Sequence, residues 1–423
     1  VRTFTMIWLG QLVSTMGSYM TEFALTLWAW ELTGQATPLA LVGFSAQLPK
    51  LVVNLFAGII VDRLNRKFLM ILGDTVAALA TGAIAFLFLT HHLQLWHLYV
   101  TSAVTGSFAQ IQQLAYSTSI SLIVPEQHYT RANSMGSMVH YGSAIAAPAL
   151  AGILYPTIGL LGLLLIDGVT FAVAIATLLS IQIPRIQNNN SNQPPASIKQ
   201  QLGLGFHVIW SNPGLRALLV TTALFWFAHD LGGAVYDPMI LARTNGNATI
   251  LGGTASAAGI GGVVGALIIS TWGGPKRHTH GMLLGFIGAG VSKTVFGLGR
   301  SPQVWLPAQF CSSLNFPLLG SSETAIWMTN VPPALQGRVF AANALVIQGV
   351  SAIALLIAGP LSDRIFEPAL QQYGSLIPLL SFITGTGAGA GTALLYIMTS
   401  IALILVGLGG LLLAPMQQLW SQR

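Results

Sequence analysis

Gly58-Ile59-Ile60-Val61-Asp62-Arg63-Leu64-Asn65-Arg66-Lys67 is the stretch on which the fold of this chain turns. Four charges, Asp62, Arg63, Arg66 and Lys67, sit together between two long apolar runs, Leu39–Val61 and Phe68–Thr90. Asp, Glu, Lys and Arg make up only 7% of the 423 residues, so this knot of charge marks a short turn between two membrane-crossing helices. Soluble proteins carry about 25% charge. A chain that is 53% hydrophobic and this sparsely charged lacks the residues for a water-facing surface.

An apolar helix of about 20 residues crosses the ~30 Å hydrocarbon layer at 1.5 Å per residue. Twelve such runs can be traced outward from the turn: roughly 4–29, 39–61, 68–90, 98–123, 132–154, 160–183, 217–236, 250–272, 281–298, 304–331, 339–361 and 391–413. Hydrocarbon offers no water to satisfy backbone polar groups, so spans of this length are helices. The class is an all-α, multi-pass membrane protein. Ser375–Ala390 reads either as a long outer loop or as an early start to the last helix. The first run is too long, and too closely followed by others, to be a cleaved signal peptide. Cys311 is the chain's single cysteine, which excludes an intramolecular disulfide.

The formal charge of +6 invites a nucleic-acid reading, which its placement removes. Arg2, Arg63, Arg66, Lys67, Arg131, Arg185, Lys199, Arg216, Lys276, Arg277, Arg338 and Arg423 fall on one side of the expected topology. Arg243, Arg300 and Arg364 fall on the other. This is the positive-inside bias, and it puts both termini in the cytoplasm. No basic patch remains for nucleic acid.

Ile186–Ser197 is polar and of low complexity, and reads as a linker, with Leu202–Trp210 after it a candidate short helix. The expected organisation is a six-helix bundle over 1–184, a cytoplasmic linker over 185–216 and a second six-helix bundle over 217–423. A shift of 207 residues superimposes Val124-Pro125 on Val331-Pro332, Arg131 on Arg338, Gly142 on Gly349, Ala151-Gly152 on Ala358-Gly359 and Gly58 on Gly265. Matches in one register, at equivalent turns, indicate a duplication.

The pattern Gly-x-x-x-Asp-Arg-x-x-Arg-Lys over Gly58–Lys67 resembles the loop between helices two and three of the major facilitator superfamily, with Asn65 where that loop usually has Gly. Trp8–Ser14, Gly17–Leu25, Trp272–Arg277 and Leu335–Phe340 are similar to segments of its macrolide-efflux and enterobactin-exporter-like permeases. The resemblance covers the full length. It implies twelve transmembrane helices in two pseudo-symmetric six-helix bundles, with a substrate site between the halves near mid-membrane, reached by alternating access. It also implies proton-driven export of an amphipathic small molecule (an antibiotic, siderophore or peptide product) across a bacterial plasma (inner) membrane, and a monomer is expected. Uptake by proton symport on the same fold is the alternative. A membrane enzyme is a weak third reading, since the spans hold no convincing nucleophile–base motif. No Walker motif appears, so an ion gradient is the expected energy source.

By the same resemblance, Gly58, Asp62, Arg63, Arg66 and Lys67 form a conformational latch. Asp74, two helical turns beyond Lys67, extends it as a ladder of charge into the membrane. The competing reading is that these residues only enforce topology. Arg131 and Arg338 are inside-facing anchors at a cytoplasmic gate. Gly142, Pro148 and Gly152 on the fifth span resemble the family's antiporter signature, with two glycines replaced by alanine.

Glu22, Lys50, Asp74, Asp167, Asp230, Lys293 and Glu323 fall inside the spans. A charge at the membrane centre costs about 2.5–3.5 kcal/mol on insertion scales, so each needs a partner, a watery cavity or a function. The repeat maps Glu22 onto His229, beside Asp230, at a similar depth of about 10–12 Å from the outer end. In the family the first and fourth helices of each half line the cavity. Glu22, His229, Asp230 and Glu323 are therefore the candidates for proton coupling and cation recognition; a static Glu22–Lys50 pair is the alternative for Glu22. Asp167 and Lys293 read as structurally paired or snorkelling. On the fourth span Ser102, Gly106, Gln110, Gln113, Ser117 and Ser121 form one helical stripe. Gln110 and Gln113 favour cavity lining, and the small residues suit helix packing. The Gly385–Gly391 run has no strand before it and is not a nucleotide loop. His91, His92 and His97 suit an interfacial turn better than a metal site. No cofactor and no metal are expected.

Overall fold

The structure is a computed structural model, and it describes residues 2–125, 129–181, 198–370 and 377–413. Among these residues every regular element is a helix. In chain order they are α1 (Arg2–Thr33), α2 (Ala36–Arg63), α3 (Arg66–Leu89), α4 (Leu95–Ile123), α5 (Tyr129–Leu179), α6 (Ile198–Ser211), α7 (Pro213–Arg243) and α8 (Ala248–Trp272). There follow α9 (His278–Leu298), α10 (Pro302–Leu314), α11 (Phe316–Asn330), α12 (Pro333–Leu361), a π-helical turn (Ser362–Phe366), α13 (Glu367–Leu370), α14 (Ile377–Thr384) and α15 (Ala390–Leu412).

Eight helical segments among the described residues are long and apolar enough to cross a membrane. Leu79, Phe86 and Val169 are 69%, 66% and 65% exposed, apolar surface that a bilayer solvates and water does not. The fifth and sixth expected spans run on as α5, which bends at Gly159 (φ 63°, ψ −171°), a conformation glycine adopts without a Cβ penalty. The tenth expected span, 304–331, is corrected by the structure to two helices, α10 and α11, broken at Asn315. Pro317 explains the break: it offers no N–H and its ring clashes with the carbonyl four residues back, at Ser313. Ser375–Ala390 contains the short α14, and Gly385, Gly387 and Gly389 at φ 81°, 118° and 79° then turn the chain, so the last long helix begins at Ala390.

Caps set several starts. Asn65 Oδ1 accepts from Lys67 N at 2.9 Å to open α3, and Asn212 Oδ1 accepts from Gly214 N and Leu215 N ahead of α7. Glu367 caps α15 from outside its own helix, accepting from Gly389 N at 2.6 Å and Thr392 N at 3.0 Å.

The helices cluster into two compact units. The first comprises Val1–Gly34, Leu41–Gln193 and Gly246–Ser256; the second comprises Gln35–Ala40, Pro194–Asn245 and Ala257–Arg423. Most of the expected linker, 185–197, lies outside the described residues, and α6 covers the expected short helix at Leu202–Trp210. In the first unit Phe4, Ile7, Leu69, Met70, Tyr116 and Leu178 form the apolar core. In the second, Phe225 stacks on Phe286 at 3.8 Å within a core that includes Leu319, Trp327 and Leu403.

Candidate transport site

In the first unit, four helices contribute polar side chains to one constellation. Gln110 of α4 donates to Asn54 Oδ1 of α2 at 2.8 Å, and Gln113 meets His140 Nε2 of α5 at 2.9 Å. Lys50, one turn before Asn54 on α2, acts electrostatically on both His140 and Glu22 of α1. Glu22 is exposed and makes no contact ion pair with Lys50. The static Glu22–Lys50 pair is therefore not formed. His140 is a member that sequence reading missed, since a lone histidine on a mixed face carries no distinguishing pattern.

The α4 stripe divides between both expected uses. A Cβ on Gly106 would lie 2.8 Å from the Ala46 carbonyl oxygen, so α2 and α4 touch backbone to backbone there. Gln113 and Ser117, farther along, are exposed.

In the second unit, His229 Nδ1 lies 3.1 Å from Asp230 Oδ1, the two side chains 20% and 21% exposed. Trp226 and Phe316 flank the imidazole at centroid distances of 5.2 and 5.0 Å. Lys293 of α9, only 7% exposed, acts electrostatically on both His229 and Asp230 and sits 5.5 Å from the centroid of the Tyr396 ring. Of the two expectations for Lys293, pairing or snorkelling, the structure favours pairing: the buried ammonium lies over the Tyr396 ring and interacts electrostatically with Asp230. Glu323 of α11, half-buried, has Trp327 and Asn343 as its polar neighbours.

Asp167 does not snorkel, and its partners are hydroxyls. It is 1% exposed and accepts from the Thr81 hydroxyl at 3.2 Å. Asp74 does not extend a charge ladder from Lys67. It is 2% exposed, and Gln112 Nε2 and Gln11 Nε2 donate to its two oxygens at 2.7 and 3.2 Å. The ladder fails because a buried carboxylate takes the nearest donors, and helix packing brings α1 and α4 amides to it.

At the charged turn, Arg66 Nη1 donates to the Thr118 carbonyl of α4 at 2.5 Å. Lys67 Nζ donates to Leu179 O at 3.2 Å and also to Ile181 O, at the end of α5. Cations thus satisfy carbonyls near helix C-termini, where the macrodipole favours positive charge. Arg63 is exposed. Gly58 and the side chains of Asp62 and Arg131 lie outside what the structure describes. Arg338 is half-buried on α12, and its backbone carbonyl abuts Gly205 of α6.

The antiporter-like part of α5 packs on the start of α8, inside the first unit. A Cβ on Gly152 would lie 2.7 Å from Ala248 O, and Gly252 abuts the Pro148 carbonyl. Thr249 Oγ1 donates to Gly152 O at 3.1 Å, and Ser256 Oγ to Ile145 O at 2.7 Å. Gly142 has open space beside it. Among the described residues no cluster of three His, Cys, Asp or Glu is placed to hold a metal.

The chain is 25% identical to Macrolide efflux protein A of Streptococcus pyogenes over 86% of its own length and 90% of that protein. It is 24% identical to Multidrug efflux pump Tap of Mycolicibacterium fortuitum, over 85% of the chain and 88% of the pump. A bacterial homologue of the iron transporter ferroportin, solved in an inward-facing state, superimposes with a TM-score of 0.69 at 15% identity, covering 100% of this chain and 99% of that one. A POT family transporter in complex with a thioalcohol-conjugated peptide gives 0.70 at 13% identity, covering 99% and 97%. The superpositions show the fold. Residues 7–355 match the family model of the Major Facilitator Superfamily, so this chain is a member of that family of membrane transporters and not an enzyme.

Proposed function

We propose that this protein exports an amphipathic small molecule (an antibiotic, siderophore or peptide natural product) in exchange for protons, by alternating access. The observation that carries the reading is the near full-length similarity to Macrolide efflux protein A and to the pump Tap. The arrangement of the acids supports it. In each unit an acidic group on the first long helix, Glu22 or Asp230, feels a lysine from another helix without contacting it. A carboxylate not locked in contact with a lysine can change protonation as cargo binds and leaves. Glu22, His229, Asp230 and Glu323 are the proposed proton-coupling groups, with Gln110 and Gln113 contacting cargo.

The bilayer proposed is a bacterial plasma membrane, with both termini in the cytoplasm and the protein acting as a monomer. Asp62, Arg63, Arg66 and Lys67 are proposed as the latch, Arg131 and Arg338 as the cytoplasmic gate. Proton-coupled uptake is the competing reading. Everted vesicles decide between them: export by antiport accumulates cargo inside an acid-loaded vesicle, with proton exit, and symport does not.

A further inference from the structure

Asp167 is a carboxylate caged by hydroxyls. Thr81 Oγ1 of α3 donates to its Oδ2 at 3.2 Å, and Thr170 Oγ1, one turn on, lies 3.4 Å from Oδ1. Ser18 and Thr21 of α1 also lie against it. Threonines on these helices usually turn their hydroxyls back onto their own helix, as Thr26 and Thr75 do, and Thr170 does so too, donating to the Asp167 carbonyl at 2.8 Å. Thr81 instead reaches across to Asp167. Thr21 Oγ1, on a side chain 7% exposed, is directed at Asp167 but outside strict hydrogen-bonding geometry. A buried hydroxyl left in that state costs free energy unless something else uses its lone pairs.

The donor set is oxygen throughout, and among the described residues no cation contacts the carboxylate. Asp74 shows the contrast in the same bundle, since its neighbours Gln11 and Gln112 aim N–H groups at it. Amide N–H groups suit a carboxylate but ligate no metal ion. Hydroxyls rotate and present lone pairs to a cation as readily as protons to an anion. Hard cations prefer such oxygen sets, and a single carboxylate calls for a single positive charge at membrane depth. The cage is also tight. A Cβ at Gly17 would lie 2.8 Å from Asp167 Oδ1 and would collide with Thr170 Oγ1, so the bare α1 backbone closes one side. A small cage favours a small ion.

We propose that Asp167, with the hydroxyls of Ser18, Thr21, Thr81 and Thr170, forms a binding site for one sodium ion, closed on one side by the backbone of Gly17. The proposal concerns ion binding within the first unit and stands apart from the direction of transport.

Thermal unfolding of the purified full-length protein in detergent tests it, in sodium chloride against potassium and choline chloride at equal ionic strength. Sodium alone is expected to raise the unfolding midpoint, and to do so saturably. Asp167→Asn, which keeps shape and hydrogen bonding, is expected to abolish the sodium response. Thr21→Val, which deletes one ligand, is expected to raise the half-saturating sodium concentration about tenfold, equivalent to ~1.4 kcal/mol. If Asp167→Asn does not fold, Thr21→Val carries the test alone. Equal midpoints for the wild type in sodium and choline salts overturn the proposal, as does an unchanged sodium response in the variants. A midpoint that follows pH but not sodium overturns it too, and leaves a proton as the occupant.

Discussion

Gln112 Nε2 donates to Asp74 Oδ1 at 2.7 Å, and the same nitrogen lies 3.2 Å from Gln11 Oε1, so one amide ties α4 to both α3 and α1. With Asp74 2% exposed, this cluster is sensitive to loss of a neutral partner. Gln112→Leu leaves a buried carboxylate oxygen unsatisfied and is expected to cost about 1–2 kcal/mol. Asp74→Asn is expected to cost less, because it removes the buried charge and keeps the Gln112 bond, although turning the Gln11 amide to accept from the new NH2 gives up the Gln112–Gln11 contact. Unfolding midpoints in detergent check the order; a larger loss for Asp74→Asn contradicts it.

A second acid works through backbone. Within the second unit, Asp363 accepts from Ala36 N at 2.9 Å, Thr37 N at 2.7 Å and the Thr37 hydroxyl at 2.5 Å, capping the start of α2. The first N–H groups of a helix have no partner inside it, and a carboxylate there adds favourable interaction with the dipole. Asp363→Ala is expected to destabilise by about 1–2 kcal/mol, and Asp363→Asn by less. Amide hydrogen exchange should show the change confined to the first turn of α2 and the π-helical turn.

Gly152 and Gly359, one of the glycine pairs that the 207-residue shift superimposes, do the same job in their own units. Gly152 meets the first residue of α8, Ala248, and Gly359 meets the second residue of α2, Thr37, each at backbone contact. Valine at either position forces these helices apart. Gly152→Val and Gly359→Val are expected to insert normally, yet to lower the midpoint and cut transport at least about tenfold, since overpacking costs some 1–3 kcal/mol. Normal transport by either variant would show that these contacts are dispensable.

Much of this was legible from the charged turn and the shift alone. Long apolar runs have one solution in hydrocarbon, so the all-helical class followed without a structure. Arg66 and Lys67 sit where their charge and the helix dipoles require them. The partners of buried acids were not legible. Asp74 looked like a continuation of Lys67 by helical spacing, but its partners come from residues 38 and 63 positions away. Nor does any local pattern connect Asp363 to Thr37, 326 residues apart. The break at Asn315 carried a signal, Pro317, that the length of the apolar run concealed.

For the charged turn itself, Asp62→Asn is expected to leave insertion intact and slow transport, as a latch role requires. Transport rates in vesicles normalised to the amount of inserted protein check this, and an unchanged rate would leave Asp62 as a topology signal only.

The decisive measurement is cargo accumulation in everted vesicles carrying the wild type, Glu22→Gln or Asp230→Asn, using a macrolide as the first cargo and an imposed acid-inside gradient. Proton-coupled export predicts uptake into wild-type vesicles that a protonophore abolishes and that both amide variants lose. Full, protonophore-sensitive accumulation by both variants would contradict the assignment of these acids, and accumulation by the wild type that ignores the gradient would contradict proton coupling itself.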